Sequence, residues 1–335
     1  MKEKRNVSLD LIRILATFII LNFHYAALFS AEDSFFYGFA CGDWGAGGVT
    51  IFFLMSGFLL KKSSEKQEGI KSFFKKKFLR LLPIFYLSFL IAYVIKSISL
   101  SNWLWGGDVW KLLFTAIGID CYLGFYSIPT YAVVGEWFTF AIILLYLLFP
   151  ILNYFMEKHF KKTNIIIFLL YISDLCVNFS HINNNAKLTN ALAMFWIGML
   201  FYKYRRKVFT KGNMRLALLA GVVILFLPLP FESHMPYGQM EGICIFLFLS
   251  VALKNIKVSK KTENKLAFLS SMSYPIYINH HFLLYTVNSI GLGLVANWSL
   301  KTGSLFYIVW LLVTWFWSLG IYYLEKWIRK KLKRR

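Results

Sequence analysis

The sequence predicts an all-α, polytopic membrane helical bundle of about ten transmembrane helices, with both termini cytoplasmic. Three observations predict it. Apolar runs recur along all 335 residues, and mean hydropathy is +0.57. Charged residues make up only 16% of the chain, against about 25% in soluble domains. The 37 Lys and Arg residues are also unevenly placed: Lys96, Lys111, Lys187 and Lys301 fall in external segments, Arg13 lies in the first span, and all others fall in cytoplasmic segments. That bias explains the net charge of +21 as positive-inside character, not as a nucleic-acid surface. The 11 Trp and 19 Tyr fit interfacial belts.

The first span covers about 9–28. Lys2, Lys4 and Arg5 precede it, as in a signal peptide, but the apolar stretch outruns a signal core and holds Asp10 and Arg13. It is therefore expected to stay uncleaved. A second span, about 45–60, carries Gly47, Gly48, Ser56 and Gly57, small residues that let helices approach closely. The basic run 61–80 reads as a cytoplasmic loop, leading to a third span at 81–98 with Pro83 in its first turn. Region 99–131 holds Trp103, Trp105 and Trp110 but is interrupted by glycines, Asp120 and Pro129, so it is expected to be external or re-entrant. A full span there would invert every later loop and destroy the charge bias. The fourth span, 131–152, contains Gly135-Glu136-Trp137 and ends near Pro150. Six more follow at 163–180, 188–203, 214–230, 238–253, 266–287 and 303–324. The basic tail, about 326–335, suits an anchor on anionic inner-leaflet lipid. With no internal repeat or linker, residues 1–335 read as one integral membrane domain. Cys41, Cys121, Cys176 and Cys244 show neither CxxC nor metal spacing, so no metal site is expected. Cys41 and Cys121 fall on the same external side, which leaves a disulfide open.

Ionisable residues inside spans are costly and mark candidate sites. Arg13 and His24 are eleven residues apart, which at about 100° per residue returns them to one helix face. About 16 Å of helix rise separates them. Counted from the cytoplasmic ends of their spans, His24 and His280 lie about 22 Å and about 21 Å up, and Glu136 sits near the external start of its span. A His with a carboxylate can act as a general base on a hydroxyl. The plainer alternative is three separately satisfied, bundle-lining residues. His281 is off the face of His280, and His159, His181 and His234 fall in loops. At the cytoplasmic mouth, Arg13, Lys77 and Arg80 suit a phosphorylated cytosolic ligand, although positive-inside character alone also explains lysines there. Asp10, at i−3, is placed to pair with Arg13.

At these residues the chain resembles the acyltransferase-3 family of integral membrane acyltransferases. Arg13 and His24 match its Arg-x10-His signature, with Asp10 and Ala16 in place. Phe52, Phe53, Ser56, Gly57, Phe58 and Leu59 resemble its second-span motif; Lys77, Arg80, Leu81 and Pro83 resemble its third-span motif, with Lys77 in place of the first arginine. Glu136-Trp137-Phe138 with Tyr146 and Pro150, and the run Ser273 to His280 with Tyr274 and Tyr277, are similar to two later elements. The resemblance implies acyl transfer, usually of acetyl, from cytosolic acyl-CoA to a hydroxyl of an envelope carbohydrate or lipid-linked glycan. It implies catalytic roles for His24 and Glu136, donor binding by Arg13, Lys77 and Arg80, and supporting roles for Asp10, Ser56, Tyr274, Tyr277 and His280. Acetyl-CoA would be a co-substrate, with no permanently bound cofactor. No hydrolase-like domain follows the tenth span, so a separate extracytoplasmic or glycan-assembly partner is expected to handle the acceptor if the bundle does not. A transporter or flippase is the competing class, since intramembrane charges fit it too. Against it stands the lack of an inverted repeat. Lys-, Ile- and Asn-rich composition hints at a low-GC bacterium, so the expected location is a bacterial plasma membrane.

Overall fold

A computed structural model describes residues 6–28, 44–65, 69–124, 126–176, 186–226, 235–290 and 300–332. Among the described residues all regular structure is helical. The elements are α1 (Val7–Leu28), α2 (Gly45–Ser64), α3 (Ile70–Ser99), a 3-10 turn (Val109–Lys111), α4 (Leu112–Ile117), α5 (Asp120–Gly124) and α6 (Glu136–Lys158). There follow α7 (Phe160–Cys176), α8 (Leu188–Lys203), α9 (Arg205–Val208), α10 (Lys211–Phe226), α11 (Met235–Ala252), α12 (Lys260–Ile290) and α13 (Leu300–Leu332). Four of them, α1, α3, α6 and α13, are long and apolar enough to cross a membrane. The 17-residue α7 and 16-residue α10 are shorter, yet expose Ile165, Ile166, Phe168, Leu169, Leu170, Leu216, Leu218, Leu219 and Phe226. Continuous apolar faces of this kind suit hydrocarbon, not water.

The helices overrun the apolar windows at their charged ends. Residues 71–80, read from the sequence as part of a loop, are the first turns of α3, and the tail continues α13 to Leu332. Hydropathy stops where charge begins, but the backbone ladder does not, because Lys and Arg are good helix formers. Pro83 therefore sits in the interior of α3 and not in a first turn. Its missing N–H leaves the Leu79 carbonyl, four residues back, without its helical donor. Arg329 of α13 supplies one: its Nη2 donates to Leu79 O while its Nε donates to Glu325. Region 99–131 forms only the short turn, α4 and α5 among the described residues. It is closed by Tyr131, whose hydroxyl donates to Gly107 O and whose ring meets Trp105 edge-on at 5.1 Å. The proposed Cys41 pairing, His181 and His234 lie outside the described residues.

The chain divides into two compact units. The first comprises Met1–Phe73 and Leu144–Ser271. Leu9, Ile12, Ala16, Ile51, Leu54, Met55 and Phe246 form its core around α2. Small residues set how closely the neighbours pack. A Cβ on Gly48 would lie 2.8 Å from Ala16 O of α1, and one on Gly242 of α11 would lie 2.6 Å from Gly47 O. Gly57 and Gly198 face each other's helices, so a Cβ on either would overlap a backbone carbonyl, Phe195 O or Leu54 O. Lys61 is not a solvated loop cation. It is buried, and Nζ donates to Asn153 Oδ1 and Glu157 Oε1, each at 2.6 Å. Lys203 Nζ reaches the other Glu157 oxygen at 3.3 Å, tying α2, α6 and α8 through one carboxylate.

The second unit comprises Phe74–Ile143 and Met272–Arg335. Its centre is a polar network on α12. Asn279 Nδ2 donates to Ser88 Oγ and to Pro275 O, and Asn279 Oδ1 accepts from Trp317 Nε1 at 3.1 Å. Both amide protons and one acceptor position are thus used in a fully buried side chain, as burial demands. The Pro275 carbonyl also accepts from Ser318, which pins α13 to α12 at that turn.

Candidate active site

The first unit holds Asp10, Arg13, His24 and Ser56. Asn6 precedes α1 and caps it, its Oδ1 accepting from the Leu9 N–H at 3.3 Å. One turn on, the Arg13 guanidinium lies 3.7 Å from the buried Asp10 carboxylate and donates to Ser270 Oγ at 2.8 Å. The expected i−3 pair is present, and the same nitrogen, Nη1, makes both contacts. His24 lies on the same unbroken helix, half-buried, with about 16 Å of rise between the two. Its ring meets Phe23 edge-on at 5.3 Å, and Phe23 in turn meets Trp44 edge-on at 5.7 Å. An aromatic pair therefore braces the imidazole end of α1. Ser56 is half-buried on α2, next to Gly57.

The second unit holds Lys77, Arg80, Glu136, Tyr274, Tyr277 and His280. Lys77 and Arg80 share one turn of α3, Lys77 half-buried and Arg80 exposed. Glu136 was expected five residues inside its helix but is the first residue of α6. It is buried, and Oε1 accepts from the N–H groups of Val133 and Val134, both at 2.7 Å. This carboxylate thus reaches back to satisfy the chain entering the helix, in the manner of a capping box. Gly135 N–H donates to Ile278 O at 3.0 Å, which brings the start of α6 beside the turn of α12 that bears His280. Phe138 packs on Tyr277 with ring centroids 4.6 Å apart, and Thr139 Oγ1 lies 3.1 Å from the Tyr274 hydroxyl. His280 is buried, and its Nδ1 lies 2.5 Å from Tyr277 O. A carbonyl only accepts, so Nδ1 carries the proton and Nε2 is the basic nitrogen.

A test separates the two roles open to Glu136. Glu136→Gln keeps a carbonyl oxygen for the two N–H groups and is expected to keep the thermal stability of the purified protein. Glu136→Ala orphans two backbone donors, at about 1–3 kcal/mol each, and is expected to lower it. An alanine variant that melts like the parent would refute the cap.

Sequence reasoning passed over Asp120 as a mere interruption. It is fully buried, with Oδ2 accepting from Thr115 and Oδ1 from the Cys121 N–H. Gly118 makes this possible: it ends α4 with a φ of +79°, a left-handed turn that glycine adopts without strain. Burial pushes the Asp120 carboxyl up from its ordinary range, against the hydrogen bonds that favour its ion. The sequence signal was a Thr and an Asp five apart across a glycine, too common to single out.

The model of the acyltransferase-3 family, described as an acyltransferase domain, matches residues 6–325. The chain belongs to this family. The match takes in residues of both units. The chain is also similar to the acyltransferase MdmB of Streptomyces mycarofaciens, at 36% identity over 66 residues. That stretch is 20% of this chain and 17% of the relative's length. No solved structure gives a significant match.

Proposed function

We propose that this membrane acyltransferase moves an acyl group, acetyl by preference, from cytosolic acyl-CoA to a hydroxyl of an extracytoplasmic or lipid-linked envelope glycan. The observation that carries the reading is α1 itself. One unbroken helix of membrane length holds a guanidinium near one end and an imidazole about 16 Å further along. Charge bias supports the orientation: about ten spans, both termini cytoplasmic, Arg13 towards the cytosol, within one domain of a bacterial plasma membrane. Arg13 grips the donor's phosphates, preset by Asp10 and Ser270. Lys77 and Arg80 offer a second pair of cations with the same chemistry. The pantetheine arm extends along the helix to bring the thioester to His24. There the imidazole accepts the proton of the acceptor hydroxyl as its oxygen bonds to the thioester carbonyl carbon. The C–S bond breaks, and the CoA thiol leaves with that proton. Within the second unit, Tyr274 and Tyr277 hold the α6 start against α12, while Glu136 caps α6 and His280 bonds its own turn, supporting roles for these four residues.

The test is incorporation of labelled acetyl from acetyl-CoA into envelope glycans, in membranes with and without the protein. Incorporation independent of the protein would sink the proposal. Arg13→Ala is expected to raise the apparent KM for acetyl-CoA by about tenfold or more, from the loss of a charge-assisted bidentate contact. Arg13→Lys should recover part of it, since charge returns but the fork does not. An unchanged KM in Arg13→Ala would remove this residue from the donor site.

A further inference from the structure

A cavity of about 390 Å³ opens at the N-terminal end of α1, within the first unit and on the end that the charge pattern assigns to the cytoplasm. That volume lies in the usual range for small-ligand sites, about 300–1,000 Å³. Among the described residues, three cations line it, Arg205, Arg206 and Lys254, and no carboxylate does. Arg205 is fixed in place: it donates to Tyr202 O at 3.1 Å, lies over the Tyr202 ring at 4.3 Å, and has Glu65 at 3.6 Å. Arg206 and Lys254 are exposed, and among the described residues neither is held by an acidic side chain. Two aromatic rings complete the wall, Phe58 and Phe209, which meet edge-on at 5.8 Å. Ser250 also faces the cavity, and its shielded Oγ has no hydrogen-bond partner. The positive end of α1 opens beside them, through Asn6 and Leu9. Uncommitted cations, aromatic faces, an unused hydroxyl and a helix N-terminus around one half-open cavity are the chemistry of a phosphorylated aromatic ligand.

We infer that this cavity binds the nucleotide end of a cytosolic ligand, a purine nucleoside carrying phosphate, with Arg206 and Lys254 on the phosphate and Phe58 and Phe209 against the base. Its assignment to the donor rests on the acyl-CoA reading: the cavity takes the phosphorylated nucleoside of acyl-CoA, and Arg13, one turn further along α1, meets the phosphates nearer the pantetheine. The sequence placed the donor's cations at Arg13, Lys77 and Arg80 and did not single out Arg205, Arg206 or Lys254, because each looked like ordinary positive-inside charge.

The experiment uses the full chain, purified in detergent, and equilibrium binding of adenosine 3′,5′-bisphosphate. The double variant Arg206→Ala/Lys254→Ala is expected to weaken binding about tenfold; both side chains are exposed, so the packing is kept. Phe209→Leu should weaken the bisphosphate but not inorganic pyrophosphate. Unchanged binding in the double variant overturns the site, and it does so even if acetyl transfer proceeds. Weakened binding in a protein that transfers no acetyl upholds the site and removes the acyl-CoA reading instead. A parallel arm compares nanodiscs of phosphatidylcholine with and without phosphatidylglycerol. If the anionic lipid competes with the bisphosphate, and the double variant abolishes that competition, the cavity belongs to a lipid headgroup and the nucleotide assignment falls.

Discussion

His24→Ala is expected to lower acetyl incorporation by about 10²–10⁴-fold at unchanged protein level, the range over which a positioned general base acts. The imidazole on α1 offers a ring nitrogen that can take the acceptor's proton, which the Arg13 guanidinium, with donors only, cannot. Its half-buried ring lies near the end of the helix against Phe23, so removal costs little packing and leaves the α1 core of Leu9, Ile12 and Ala16 intact. The loss should therefore fall on kcat. It should leave the apparent KM for acetyl-CoA near the parent value, because the donor's phosphates are held about 16 Å away at Arg13. The pairing of this variant with Arg13→Ala makes the result interpretable: one changes turnover, the other donor binding. Incorporation at the parental rate in His24→Ala would end the proposed mechanism, whatever the donor proves to be.

Gly57→Ala is expected to destabilise the first unit by about 1–3 kcal/mol or more. The added methyl would overlap the Phe195 carbonyl on α8, and its neighbours there are backbone, which cannot rotate aside. In a bilayer, helix association relies on such close approach, since lipid is as apolar as the helix faces. The variant should melt at lower temperature in detergent and accumulate less in membranes. Gly320→Ala on α13 is the control. A Cβ there meets nothing within 4 Å, so it should be neutral or slightly stabilising through helix propensity. Equal melting of the Gly57 and Gly320 variants would show that the α2–α8 approach does not set stability.

Much of the fold was legible because hydropathy and charge report directly on a bilayer. The apolar runs located α1, α2 and α8 within a few residues, and region 99–131, read as external or re-entrant and not as a full span, forms only short elements among the described residues. What failed was the extent of helices at charged ends. Residues 71–80 and 326–332 are helical because hydrogen bonding along a helix is indifferent to side-chain polarity. The same failure misplaced Pro83 and hid its consequence, an open Leu79 carbonyl that Arg329 fills.

For the candidate site, the sequence alone determined residue types and spacing along one helix: Asp10, Arg13 and His24 need only the 3.6-residue period to share a side of α1. The tertiary structure decided what those groups touch. Ser270 is 257 positions from Arg13 in the chain, and Asn279 meets Ser88 across 191, so no local pattern could announce either contact. Glu136 shows the difference most clearly. From sequence it was a carboxylate at membrane depth, available for proton chemistry; in the fold, one of its oxygens is committed to the Val133 and Val134 N–H groups. Where a helix starts is settled by the hydrogen bonds at its end, and those form only when the chain has folded.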